Sequence, residues 1–392
     1  MRRFSFFVLL FLVPLINSGL YMLGIVIGWL LFSLLLTYNK ILSTKLFVGD
    51  YFLLFVPLLY GLISLMLTPY NYHYLQMNSY LVAVIYISIV YIFVVLLKDF
   101  EYEFIVKIFK YVLVLLSFII LLQWAIYLSF GEYLDFNKLV SFGKSESRYT
   151  SNTFRILGLI RPTAFFTEPS NASAVISMFT FCYMFLVKKL DGYVILGFLT
   201  SILTLSTAGV LIGSISLGFL LLFYKSGNRS KLFKVLISFL SMIIIFYMLS
   251  FSYDRVNSAS EYDMIASRSV IANLIFDQAW YNHLLGNGIT ILSEPIFIGN
   301  NLVHDYSFRD SGFFVNLYYS FGLIGFILFL FWSRLKIKNN IHLVIFFVVL
   351  QSKFDYLQPV FWLLIFTVSM LDYDNKEKKE FFHEYNKKFI NR

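Results

Sequence analysis

The chain has 392 residues, 59% of them hydrophobic and only 14% charged, with a mean hydropathy of +0.77. Soluble domains carry roughly 25% charged residues, so this composition excludes a chain built of ordinary globular domains. The net charge of +9 looks like a nucleic-acid signal only until the basic residues are placed on a topology, where they sort by membrane side.

A membrane-spanning helix needs about 20 apolar residues. Met1-Arg2-Arg3 followed by Phe4–Ile16 imitates a signal peptide, but no small-residue cleavage site follows and another apolar run begins at once. The sequence predicts a retained first helix. Further candidate spans are Gly19–Leu36, Leu46–Leu67, Tyr80–Leu97, Tyr111–Phe130, Ala172–Val187, Gly192–Leu205, Gly209–Tyr224, Val235–Phe251, Gly312–Trp332, Ile341–Leu350 and Leu357–Leu371. The expected fold class is all-α: a polytopic membrane protein with about 12 transmembrane helices. Phe4–Leu36 and Gly192–Tyr224 are each 33 residues, ~50 Å of helix. That is too long for one crossing of a ~30 Å core and slightly too short for two full ones. Tight hairpins at Asn17-Ser18 and at Ser206-Thr207-Ala208-Gly209 are therefore expected.

With the N-terminus inside, the inner segments hold 22 of the 31 basic residues, the bias expected of cytoplasmic loops. Both termini are then cytoplasmic, and residues 372–392 form a charged cytoplasmic tail behind a single transmembrane domain, 1–371. Two outer segments are enlarged, Gly131 to Asn171 and Ser252 to Ser311. Loops this long are uncommon unless they are functional or carry structure of their own. In the second, Ser267 to Leu285 pairs apolar positions with helical spacing and predicts an amphipathic helix near the interface. The lone Cys182 lies in an apolar run, so no intrachain disulfide can form. The 46 Phe and 28 Tyr fit bilayer packing with interfacial Tyr belts, or a groove for a long lipid chain.

The spans carry almost no ionisable groups, which argues against an ion-coupled transporter; Gln123 is about the most polar residue deep in a long span. Chemistry concentrates at the loop ends. In the first loop, Arg155 and Arg161 precede Glu168-Pro169-Ser170-Asn171 at the start of a span entering from outside. Pro169 suits a helix start, Ser170 or Asn171 can cap it, and the N-terminal dipole favours an anion. Two arginines six residues apart could clamp a pyrophosphate bidentately. The plainer alternative is a capped helix with Glu168 on its dipole and the arginines paired to loop acids. The second loop offers Arg268, Gly286-Asn287-Gly288, His304-Asp305 and Arg309-Asp310-Ser311-Gly312 before another inward span. The two glycines allow a sharp turn or a close ligand approach. His283 reads as a structural hydrogen-bonder, whereas His304 has charged neighbours; His73, His342 and His383 show no local partner pattern. No metal-ligand spacing is present, and no metal or other cofactor is expected. Asp372-Tyr-Asp374 matches a DxD motif but sits in the charged tail, where it is expected to face solvent.

The run Arg161-Pro-Thr-Ala-Phe-Phe-Thr-Glu-Pro-Ser before a span resembles the signature of Wzy-type polymerases, which assemble O-antigen and capsular polysaccharide repeat units. Arg268, Leu285-Gly-Asn-Gly and Asp310-Ser-Gly-Phe-Phe…Tyr-Ser-Phe-Gly322-Leu-Ile-Gly325 are similar to that family and to the related O-antigen ligases. Ala164 departs from the pattern, standing where many members have Gly. His304 is followed by Asp rather than the Asn common in ligases, which favours the polymerase. The resemblance implies about a dozen helices with two large extracytoplasmic loops, in the bacterial cytoplasmic membrane. It also implies an undecaprenyl-pyrophosphate-linked glycan as donor, a second lipid-linked unit as acceptor, and a chain-length regulator as a possible protein partner. Arg155, Arg161, Arg268 and Arg309 would bind pyrophosphate or glycan, and Glu168, Asp310 or His304 would act on the acceptor hydroxyl. An O-antigen ligase and a lipid-linked oligosaccharide flippase are the competing expectations.

Overall fold

The computed structural model describes residues 2–15, 59–63, 77–98, 100–150, 159–223, 271–288, 296–298, 301–303 and 311–371, with 28, 239 and 246 singly. Where these residues cover a candidate span, it is helical. The long apolar segments form α1 (Arg2–Leu15), α2 (Met77–Leu97), α3 (Tyr102–Phe130), α5 (Pro169–Val187), α6 (Gly192–Leu203), α7 (Thr207–Phe223), α9 (Phe313–Lys336), α10 (Asn340–Leu350) and α11 (Pro359–Met370). Between them lie the short helices α4 (Phe136–Val140) and α8 (Trp280–Leu285) and an antiparallel pair, β1 (Ile296–Ile298) with β2 (Asn301–Val303). The ladder was not expected from the sequence. The segments Gly19–Leu36, Leu46–Leu67 and Val235–Phe251 fall largely outside the described residues, as do Asn17-Ser18 and the tail with Asp372-Tyr-Asp374. Among the described residues, four helices are long and apolar enough to cross a membrane: Tyr80–Leu97, Tyr102–Phe130, Pro169–Val187 and Phe313–Lys336.

Helix ends follow local chemistry. Gly131 at φ 74° stops α3, its N–H returning to the Tyr127 carbonyl. The Asp191 carboxylate accepts from the Tyr193 and Val194 N–H groups at the start of α6, and Asn339 does the same for α10. Among the described helices α5 is the most enclosed of the four long apolar ones, 83% buried against 28% for α9.

Small residues let α6 and α7 close on α5. Ser173 bonds Ser206 and Ser177 bonds Ser201, each at 2.9 Å, and a Cβ on Gly209 would lie 2.6 Å from that of Ser173. Contacts of this kind are how helices associate where apolar solvent gives no driving force. The predicted hairpin is present, with its break at Thr204–Ser206, slightly ahead of the expected position. Leu205 takes φ 48°, and the Ser206 hydroxyl accepts from the Gly209 N–H.

Helix α9 is interrupted at Gly322 (φ 63°, ψ −167°). The freed carbonyls of Tyr319 and Ser320 accept from the backbone N–H of Asn287 and Gly288, at 2.8 and 2.9 Å. A break inside an apolar helix needs such replacement partners. The Gly286-Asn-Gly288 segment therefore serves α9. Of the amphipathic helix expected over Ser267 to Leu285, residues 267–270 lie outside the described residues; within 271–285 the helix is interrupted at 277–279, with 271–276 before the break and α8 after it. Leu274, Ile275, Val315 and Tyr319 pack around the buried Ile271, while Phe276 and Trp280 face outward.

The antiparallel contacts bring the C-terminus of α3, the N-termini of α5 and α9, the α6–α7 turn and the α10–α11 turn to one end. Lys98, Lys107, Lys110, Lys188, Lys189, Arg334, Lys336 and Lys338 lie toward the other.

Candidate functional site

The site is built on Gln123, a fully buried amide on α3 about 10 Å before that helix ends. Its Oε1 accepts the Ala164 N–H at 3.0 Å, and its Nε2 donates to the Leu134 carbonyl and the Tyr133 hydroxyl. Tyr133 also accepts from the Thr163 N–H and shares a hydrogen bond with the Thr163 hydroxyl. Burial pushes the Tyr133 phenol up to about 12 despite these bonds, so it stays neutral at physiological pH. One buried side chain thus fastens both limbs of the first loop. Ala164 is fully buried and adopts φ 49°, a left-handed conformation in which glycine would be unstrained.

From this anchor the chain reaches Glu168. The Arg148 N–H donates to the Thr167 carbonyl and the Arg161 N–H to the Tyr149 carbonyl, so 148–149 runs beside the Arg161–Glu168 stretch. The two sides of 148–149 serve different ends. Tyr149 stacks on Tyr133 with ring centroids 4.0 Å apart, while the Arg148 guanidinium bonds Glu168 Oε1 at 2.9 Å. The second carboxylate oxygen accepts from Lys353 Nζ at 3.1 Å and from the Ser170 hydroxyl at 3.2 Å. Burial of Glu168 pushes its carboxyl up, but Lys353, Arg148 and Ser170 together outweigh it. The group ends below the ordinary carboxylate value and is ionised at neutral pH. Glu168 is the residue that precedes α5, yet its side chain does not cap the helix. Pro169 takes the first helical position as expected, whereas neither Ser170 nor Asn171 is the cap residue.

Lys353 comes from the α10–α11 turn, which is firmly held. Ser352 Oγ donates to the Val349 carbonyl, Asp355 accepts the Leu357 N–H, and the Tyr356 hydroxyl meets Ser320 Oγ of α9 at 2.5 Å. Gly312, the last residue before α9, passes so close that a Cβ there would lie 2.8 Å from Gln351 Nε2. Phe313 then stacks on Phe361, setting the first turns of α9 and α11 side by side. The turn thereby joins the end of the second loop to Glu168 of the first. Three helix N-termini surround it, an arrangement whose partial positive charges favour an anion.

Of the expected site residues, Glu168 and Arg161 are in the described structure and belong to one loop limb. Arg155, Arg268, His304, Arg309 and Asp310 lie outside the described residues. His283 is the hydrogen-bonder expected, its Nδ1 2.9 Å from the Tyr318 hydroxyl.

No family model matches the chain, and no curated protein or solved structure matches it either.

Lys353, Arg148 and the anchoring role of Gln123 escape a reading of the sequence. A signal for Lys353 does exist. It is a basic residue on the predicted outer side, against the charge bias, in the short gap between two apolar runs.

Proposed function

We propose that the chain is a polysaccharide repeat-unit polymerase of the bacterial cytoplasmic membrane, with about 12 spans, both termini cytoplasmic and the two large loops outside. The observation that carries this reading is the Glu168 carboxylate held between Arg148 and Lys353 at the head of α5. It lies directly after the Arg161-Pro-Thr-Ala-Phe-Phe-Thr run. In the reaction, the terminal hydroxyl of one lipid-linked unit attacks the anomeric carbon of another. The bond to the undecaprenyl pyrophosphate breaks, and negative charge grows on the departing phosphate. Cations and helix N-termini fixed in advance can stabilise that charge, an effect of several kcal/mol. Arg148, Lys353 and Arg161 are suited to this, and Arg155, Arg268 and Arg309 are proposed to complete the set.

An ionised carboxylate tied to two cations is a weak base. Glu168 therefore fits an organising role better than proton removal, which falls to Asp310 or His304. The lipid chains would lie along apolar helix faces, so that the reacting ends meet at the outer interface.

Deletion followed by glycan profiling tests the reading. Loss of a polymerase leaves single repeat units that are still exported. Loss of a ligase leaves long lipid-linked chains never transferred to an acceptor core, and loss of a flippase traps units inside. Either of the last two profiles would overturn the proposal.

A further inference from the structure

We infer that Glu168 is a displaceable internal counter-ion: Arg148 and Lys353 form the site for the pyrophosphate of a lipid carrier, and the Glu168 carboxylate occupies it until that ligand arrives. The choice of lipid pyrophosphate rests on the polymerase reading; the anion site itself rests on the geometry.

Two cations from segments far apart in sequence converge on one carboxylate, one on each oxygen. The three side chains together carry one net positive charge. A pyrophosphate brings more negative charge than a carboxylate and more acceptor oxygens, so it competes for the same donors. The two cations also differ in mobility. Lys353 stands on a turn fixed by Ser352, Asp355 and Tyr356, and a quarter of its side chain is exposed. The Arg148 side chain is 78% exposed, and among the described residues its guanidinium makes only the bond to Glu168. One cation is a fixed post and the other an arm that can follow a ligand.

Glu168 is free to leave. Its carboxylate does not cap α5, whose first turn is held without it by Pro169 and by the Asn171 and Ala172 N–H groups on the Glu168 carbonyl. The Ser170 hydroxyl, which now donates to the carboxylate, would serve a phosphate oxygen equally.

A purely structural salt-bridge triad makes the opposite prediction for one variant. In Glu168→Gln the carboxylate no longer competes, so inorganic pyrophosphate should bind the purified full chain in detergent about fivefold more tightly or better. Titration calorimetry at low ionic strength reads this directly. Unchanged or weaker binding in Glu168→Gln would overturn the inference. Arg148 is exposed enough that Arg148→Gln should fold; it should bind several-fold more weakly, and wild-type affinity there overturns the inference independently. Farnesyl pyrophosphate should bind more tightly than inorganic pyrophosphate, and equal affinities would exclude a lipid headgroup as the occupant. A ligase or flippase profile in the deletion strain would remove the polymerase reading while leaving these binding results intact. Conversely, unaltered binding in Arg148→Gln would remove the counter-ion and leave the polymerase.

Discussion

Lys353 and Glu168 lie 185 positions apart and meet at 3.1 Å, tying the α10–α11 turn to the head of α5. Because Gly312 packs on Gln351 of the same turn, this single ion pair couples the end of the second loop to the first. Each side chain is about a quarter exposed, so the pair is only partly screened by solvent.

The coupling has a pH signature. The folded-state value of Glu168 is depressed below that of an ordinary glutamate, so its contribution is fully present above the unfolded value. It is lost as pH falls through the depressed folded value. Glu168→Gln should therefore lower stability by about 1 kcal/mol at pH 7. The difference should fade toward pH 3. Thermal unfolding of both proteins in the same detergent at the two pH values checks this, and an equal difference at both would contradict it.

Gln123→Leu should be more damaging, by about 2 to 3 kcal/mol, because it strips partners from the buried Ala164 N–H and from the Leu134 carbonyl. The loss should appear as faster proteolytic cleavage within residues 131–168 under native conditions. An unchanged cleavage rate would mean that Gln123 does not anchor the loop.

Much of the helical framework is legible in the sequence, since a run of about 20 apolar residues has few alternatives to a helix. Pro169 also marks the start of α5 correctly. What is not legible depends on contacts distant in sequence. The run from Phe313 to Lys336 reads as one span, because the break at Gly322 exists only where Asn287 and Gly288 supply replacement donors. Gln123 stands out locally as a polar oddity, but its function depends on Ala164, 41 positions away. Lys353 sits in a six-residue gap with no local partner pattern, and Glu168 gives it a role only after folding.

Ala164→Gly should stabilise the protein by about 0.5 to 1 kcal/mol. The strain of φ 49° is removed, and this outweighs the greater entropy of glycine in the unfolded chain. A lowered melting temperature would contradict that assignment of strain.

Gly322→Ala should do the reverse, since a Cβ there would lie 2.3 Å from the Leu284 carbonyl oxygen. Segment 284–288 must then separate from α9, at a cost of several kcal/mol. Hydrogen exchange at the Asn287 and Gly288 amides should speed up markedly in the variant; retained protection would show that the segment does not depend on the break.

Whether Lys353 serves repeat-unit polymerisation is tested most directly by the glycan profile of cells in which Lys353→Met replaces the wild-type chain, with membrane levels matched by immunoblot. Exported single repeat units with few or no long chains are expected. A wild-type chain-length distribution from Lys353→Met would contradict that role.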